Sequence, residues 1–128
     1  MARKRLSLPS LKKKAWKCFS NYIRFRAADQ QGYASCVTCG ARDKWKNLHA
    51  GHFLHGHSKP TFLVPENVAP QCIKCNHFLS GNLIAYYEYM IRKYGQAKID
   101  ELKALSHKVE KPSRDYYERI IELYGKIK

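Results

Sequence analysis

Acidic side chains are scarce in this chain: 10 Asp and Glu stand against 24 Lys and Arg, for a formal net charge of +14. A surface this short of acids does not neutralise itself. It favours a polyanionic partner, because lysines and arginines that displace condensed counterions from phosphates drive binding. Long apolar runs are also missing. Apolar residues make up 45% of the 128 positions, yet no run approaches the roughly 20 needed to span a bilayer. The basic start is not followed by the apolar stretch of a secretory leader. A soluble, cytoplasmic protein with no membrane partner is therefore expected. The five cysteines are an odd number, which does not suit a secreted disulfide framework. There is no low-complexity segment and no internal repeat beyond a duplicated Cys-x-x-Cys, and the length fits one domain, 1–128.

The basic residues are unevenly spread. Residues 1–30 hold nine of them (Arg3, Lys4, Arg5, Lys12, Lys13, Lys14, Lys17, Arg24 and Arg26) against Asp29 alone. Residues 1–9 read as a flexible basic arm. Residues 10–30 read as a basic helix, with Ser10 as its cap and Trp16, Phe19, Ile23 and Ala27 at helical spacing. Lys12, Lys13, Lys14, Lys17, Arg24 and Arg26, with Lys59 and Lys74 further on, are the candidate phosphate contacts; a merely solvated face is the alternative. Short strands are expected near 47–54 and 61–64. A helix should run from about Asn76 to a capping glycine, Gly95, and further helices should fill 96–128, one of them starting at Pro112 and Ser113. Tyr86, Tyr89 and Tyr94 suit core packing better than base stacking.

Four cysteines form two Cys-x-x-Cys pairs: Cys36 and Cys39, Cys72 and Cys75. Together they can complete one tetrahedral four-thiolate zinc site. A redox motif would instead want a single pair at the end of a strand in a βαβ unit. Cys18, left over, reads as a buried small apolar residue on a helix. Thirty-two residues separate Cys39 from Cys72, whereas a plain ribbon uses about 15–20. The insert carries His49, His52, His55 and His57, four of the six histidines within nine residues. Neutral imidazole can act as a general base or as a ligand to a borderline cation. An amide oxygen such as that of Asn76 suits Mg²⁺ or Mn²⁺. Phosphodiester hydrolysis needs a base for water, a cation at the phosphate and a basic surface for the nucleic acid. Zinc would be the staple, and a second divalent ion would do the chemistry.

The ordered set Cys-x-x-Cys, "AGHF", "PENVAPQC", "CIKCN" and "SGNLIAYYEYMIRKYGQAKIDEL", over roughly residues 15–105, resembles the NinG/Rap family of lambdoid phage recombination nucleases. Those are ββα-metal (His-Me finger, HNH-type) enzymes that cut branched DNA such as Holliday junctions and D-loops. The order of cysteines, histidine and asparagines is also similar to the recombination endonuclease VII family. The resemblance implies an α+β fold: a zinc-stapled ββα-metal unit over 36–95, flanked by the basic amino-terminal helix and the carboxy-terminal helices. It implies that His52 is the general base, that Asn67 fixes the loop and orients that base, and that Asn76 binds the catalytic Mg²⁺ or Mn²⁺. It implies Zn²⁺ on Cys36, Cys39, Cys72 and Cys75.

One position departs from the family pattern. Members usually carry aspartate three residues before this histidine, where this chain has His49. Along a strand His49 and Gly51 share one face and His52 lies on the other, so His49 as a ligand depends on the local bend. If it binds, an imidazole tilts preference toward Mn²⁺. His55 and His57 could touch phosphate, assist the base or bind metal, or simply line a polar loop. His77 is an alternative ligand to Asn76. The expected substrate is branched DNA, and two cuts per junction would suit a homodimer. Recombination proteins of the phage or its host are further candidate partners, in the host bacterial cytoplasm. The rival is a non-catalytic zinc protein that binds DNA as a recombination accessory.

Overall fold

A computed structural model describes residues 5–126. Residues 1–4 of the expected arm, Arg3 and Lys4 among them, lie outside the described residues. Helix α1 (Leu8–Arg26) begins earlier than its apolar spacing predicts and stops before 30. Pro9 is tolerated in its first turn, and the Ser7 hydroxyl, not Ser10, accepts the first free backbone N–H. The upper part of the expected arm is therefore helix. Leu11, Ala15, Phe19 and Ile23 recur every fourth residue and are all buried, so one stripe of α1 faces the core while its lysines face out.

Two antiparallel pairs follow. β1 (Tyr33–Ser35) and β2 (Arg42–Lys44) form a hairpin around the first cysteine pair. Sequence periodicity misses it, because three-residue strands are too short to show alternation. Gly40 closes the turn at φ +82 and donates its N–H to the Cys36 carbonyl at 2.8 Å, a conformation that a side chain would strain. β3 (His49–His52) falls inside the expected 47–54 strand and pairs with β4 (Val68–Gln71) in the register His49↔Gln71 to His52↔Val68. The expected strand at 61–64 is corrected: Thr61, Phe62 and Leu63 are buried turn residues. Their apolar character reflects core burial, and the pairing strand begins only after the turn at Pro65–Asn67.

After β4 the chain makes a single wide helical turn, Lys74–Phe78. The helix expected from Asn76 is interrupted there. Ser80, Gly81 and Asn82 have φ of +49, +96 and +48, which reverses the chain before α2 (Leu83–Lys93). Gly95, at φ +88, separates α2 from α3 (Gln96–Ser106). Ser113 caps α4 (Arg114–Tyr124) through the Tyr116 N–H, as its sequence suggests.

The β3–β4 hairpin lies between two helical layers. Ala50 and Val68 on one face join Phe19, Ile23, Phe62, Tyr117 and Ile120 in the core beneath α1 and α4. Ala69 on the other face joins Phe53, Tyr86, Met90, Ile99 and Leu102 beneath α2 and α3. Tyr86 and the half-buried Tyr89 and Tyr94 pack in that second core, as their spacing predicts. Cys18 lies on α1 against Gly125, just past α4, and is half-buried rather than buried as expected. No helix among the described residues is long and apolar enough to cross a membrane. Phe19 is fully buried, so Phe19→Ala should lower unfolding free energy by about 3–5 kcal/mol in a urea titration. A loss within a few tenths would contradict the packing described.

Candidate metal centre and active site

The β1–β2 hairpin and the start of the Lys74–Phe78 turn bring Cys36, Cys39, Cys72 and Cys75 together, with all four sulfurs within 4.8 Å of one another. The Cys39 and Cys72 sulfurs are 3.6 Å apart. Zn–S bonds of about 2.3 Å in a tetrahedron put neighbouring sulfurs about 3.8 Å apart, so the cluster has the dimensions of a four-thiolate zinc site. Among the described residues it is the one group of three or more His, Cys, Asp or Glu that converges so closely.

The cluster is also prepared for negative charge. Burial pushes the Cys36 thiol up. The Thr38 hydroxyl and the backbone N–H groups of Cys72, Thr38 and Cys39 outweigh that, and its pKa falls to about 6. For Cys39 a backbone bond at Ala41 is overcome by burial and by the sulfurs of Cys36, Cys72 and Cys75, and its pKa is pushed up to about 12. One thiolate is welcome and the next is opposed by the first. A dication removes that opposition, which is the physical reason a metal fits here.

On the opposite side of the hairpin lies an open cavity of about 390 Å³. It is lined by Trp16, Ala50, His52, His55, Gly56, His57, Phe62 and Asn76. Three of the histidines and the asparagine that stood out in the sequence therefore share one space. His52 packs in a three-ring cluster, 5.1 Å from Trp16 and 4.9 Å from Phe62, which lie 5.0 Å from each other. Its Nε2 lies 2.9 Å from the Phe62 carbonyl oxygen. A carbonyl only accepts, so Nε2 carries the hydrogen and Nδ1 is left with a free lone pair. Burial, together with the nearby His55 and His57, lowers the His52 pKa below the ordinary histidine value, against the opposing pull of the Phe62 carbonyl. The ring is kept neutral, with its Nδ1 lone pair free.

Asn76, in the wide turn beside Cys75, reaches both faces of the hairpin. It lines the His52 cavity and its amide lies 3.1 Å from His49 Nδ1. His49 itself points to the other face, as strand alternation requires. Amide oxygen and nitrogen are interchangeable by rotation. As placed, the amide nitrogen faces His49 Nδ1 at hydrogen-bond distance; with Oδ1 turned toward His49, the two donors could supply neighbouring positions on an ion with bonds of about 2.1 Å, about 3.0 Å apart in octahedral geometry. No carboxylate lines the cavity, so the set is neutral.

Asn67 does not line the cavity. It is fully buried, and its amide makes three hydrogen bonds, with Leu54 N–H, the Leu54 carbonyl and the Thr61 carbonyl. It fastens the two ends of the 54–61 loop, which carries His55 and His57. His77 is exposed, with its ring against Phe78 and away from the cavity. Among the candidate phosphate contacts, Lys12 lies at the cavity side, its ammonium 2.8 Å from the His57 carbonyl and over the Phe62 ring. Lys13, Lys14, Lys17, Lys59 and Lys74 are exposed. Arg24 is different. Its guanidinium donates to Ser20, Lys46 and Leu48 carbonyls and to Asn21, so it ties α1 to the β2–β3 connection and has few donors left for phosphate. Arg26 donates to the Pro65 carbonyl but stays exposed.

Sequence reasoning misses Trp16 and Phe62 as the walls of His52. Trp16 reads as ordinary helix packing, and Phe62 sits in a segment mistaken for a strand. It also misses Gln71, a fully buried amide next to the third cysteine; its signal is a polar residue inside an otherwise apolar strand.

The sequence family described as "NinG: Bacteriophage Lambda NinG protein" matches residues 2–128. Protein ninG of Escherichia phage lambda is 32% identical over 93 residues, 72% of this chain and 43% of that protein. The ninG proteins of Salmonella phage P22 and Escherichia phage 933W are equally similar, covered to 43% and 44% of their lengths. The chain thus spans less than half the length of the curated relatives it matches. No solved structure matches it.

Purified chain should hold one zinc per molecule. Stripping it with a strong chelator, or Cys75→Ser, should abolish the cooperative thermal transition of the hairpin region, because structural zinc supplies folding free energy. Unchanged melting after complete metal removal would count against the staple.

Proposed function

The chain belongs to the NinG family of phage proteins, and on that footing we propose that it is a metal-dependent DNA endonuclease of HNH type, hydrolysing phosphodiesters in branched recombination intermediates. The β3–β4 hairpin, the Lys74–Phe78 turn and α2 correspond in this reading to a ββα-metal unit stapled by zinc. The observation that carries the proposal is the cavity in which a neutral His52, packed against Trp16 and Phe62, shares a wall with Asn76.

Each group then has a task. His52 Nδ1 takes the proton of the attacking water, with Nε2 held by the Phe62 carbonyl so that the ring keeps its aim. His49 and Asn76 would hold the divalent cation, Mn²⁺ in preference to Mg²⁺ because one donor is an imidazole. When bound, that cation supplies positive charge to the phosphate oxygens and to the leaving 3′-oxygen. With no carboxylate in the set, the DNA phosphate completes the charge balance. Asn67 keeps the 54–61 loop closed, and Lys12, Lys13, Lys14 and Lys17 on α1 with Lys59 hold the backbone of the substrate. Cutting both sides of a branch calls for two sites, so a homodimer is part of the proposal.

His52→Ala should reduce single-turnover cleavage by about 10²–10⁴-fold while zinc content and DNA affinity stay unchanged. Wild-type protein that binds branched DNA but cuts nothing in Mg²⁺ or Mn²⁺ would support the accessory-protein alternative instead. The pH profile gives a second check. A base works only when unprotonated, and the His52 pKa is lowered. Cleavage should therefore persist as pH falls below the ordinary histidine value of about 6.5 and be lost only further down. An acid limb above that value would exclude His52 as the titrating base.

A further inference from the structure

Gln71 is polar, fully buried and placed where the staple, the histidine strand and the asparagine turn meet. Its Nε2 donates to the Thr38 hydroxyl at 3.1 Å and to the Gly81 carbonyl at 2.9 Å. The Gly81 carbonyl can only accept, so the amide cannot be turned over and Oε1 must face the other way. It faces Gly51. A Cβ built on Gly51 would overlap Oε1 and lie 3.0 Å from the Asn76 side-chain amide. A side chain at 51 would have to displace the Gln71 amide, and Oε1 has no hydrogen-bond partner beyond the Gly51 Cα–H directed at it. Leaving a buried amide oxygen in that state is unfavourable, and the fold keeps it.

The other end of the chain of contacts reaches the metal cluster. The Thr38 oxygen that accepts from Gln71 lies 3.2 Å from Cys36 Sγ. A thiolate can only accept, so when Cys36 is ionised the Thr38 hydroxyl is the donor. The path runs from the Cys36 sulfur through Thr38 and Gln71 to Gly51 and Asn76, while Gly81 fixes the turn before α2.

We propose that Gln71 is the positioning residue of the cation site: it sets the separation between the strand carrying His49 and His52 and the turn carrying Asn76, and it ties that separation to the metal-loaded cysteine cluster. The idea rests on the reading of His49 and Asn76 as cation ligands. It explains why glycine precedes His52 and why glutamine precedes Cys72.

The test is NMR on the zinc-loaded chain, following the His49 ring and the Asn76 side-chain amide through a Mn²⁺ titration by paramagnetic broadening. Wild type, Gln71→Met and Thr38→Val are compared, each first checked for one zinc per chain and a cooperative melt. Gln71→Met should shift both sets of signals before metal is added and weaken Mn²⁺ binding by about 10–100-fold, the range for partners that orient metal ligands. Thr38→Val should do the same to a smaller degree, and it decides the matter if Gln71→Met fails to fold. Both variants binding Mn²⁺ as wild type does, with unshifted signals, would overturn the proposal and leave the cation reading standing. If Mn²⁺ fails to broaden His49 and Asn76 even in wild type, the cation reading falls, while shifted signals in metal-free Gln71→Met still support the positioning role.

Discussion

The strand that carries both His49 and His52 is four residues long and pairs with one neighbour of the same length, and a two-stranded sheet of that size is marginal in water. The convergence of four cysteine sulfurs gives it a fixed place. Cys72 follows directly on β4, Cys75 sits inside the next turn, and Cys36 and Cys39 belong to a separate hairpin whose Val37 N–H bonds the Pro70 carbonyl of β4. Joining these segments at one point sets the exit of β4 and the position of Asn76 together. Burial of Ala50 and Val68 beneath α1, and of Ala69 beneath α2 and α3, then covers both faces. The staple orders the backbone and the two cores hold it.

Charge is arranged on two scales. The chain as a whole carries +14, a long-range attraction for a polyanion. The cavity itself is lined by neutral or weakly basic groups, and His52 is held neutral by burial and by neighbouring imidazoles. On the proposed function, the surface would gather the phosphate backbone and the interior would keep a base unprotonated. Arg24 marks the boundary, since its charge is spent holding α1 to the backbone near β3.

Much of this was legible in the residues. Cysteine spacing is a covalent-scale constraint, so the four-thiolate cluster could be read directly, and Ser113, Gly95 and the stripes on α1 and α2 follow from local rules of capping and periodicity. The failures share one cause. Phe62 and Leu63 look like a strand because they are apolar, but their burial is set by α1 and α4, far away in sequence. The pause between Asn76 and Leu83 depends on three consecutive positive φ angles, which no periodicity announces. Within the site, the histidines and Asn76 stood out by type and crowding. Trp16, Phe62 and Gln71 did not, because supporting residues look like ordinary packing until the geometry is known.

The central claim is that this basic, zinc-stapled fold cuts DNA at branches. The most direct measurement is cleavage by the zinc-loaded chain of a four-way junction, a fork, a flap and a linear duplex of the same sequences, in Mg²⁺, Mn²⁺ and Zn²⁺ in turn. The account predicts cutting near the branch of the junction, stronger in Mn²⁺ than in Mg²⁺, with the linear duplex largely spared. Equal cutting of linear duplex would remove the branch-specific part, and folded, zinc-loaded protein that cuts none of the four in any metal would contradict the account outright.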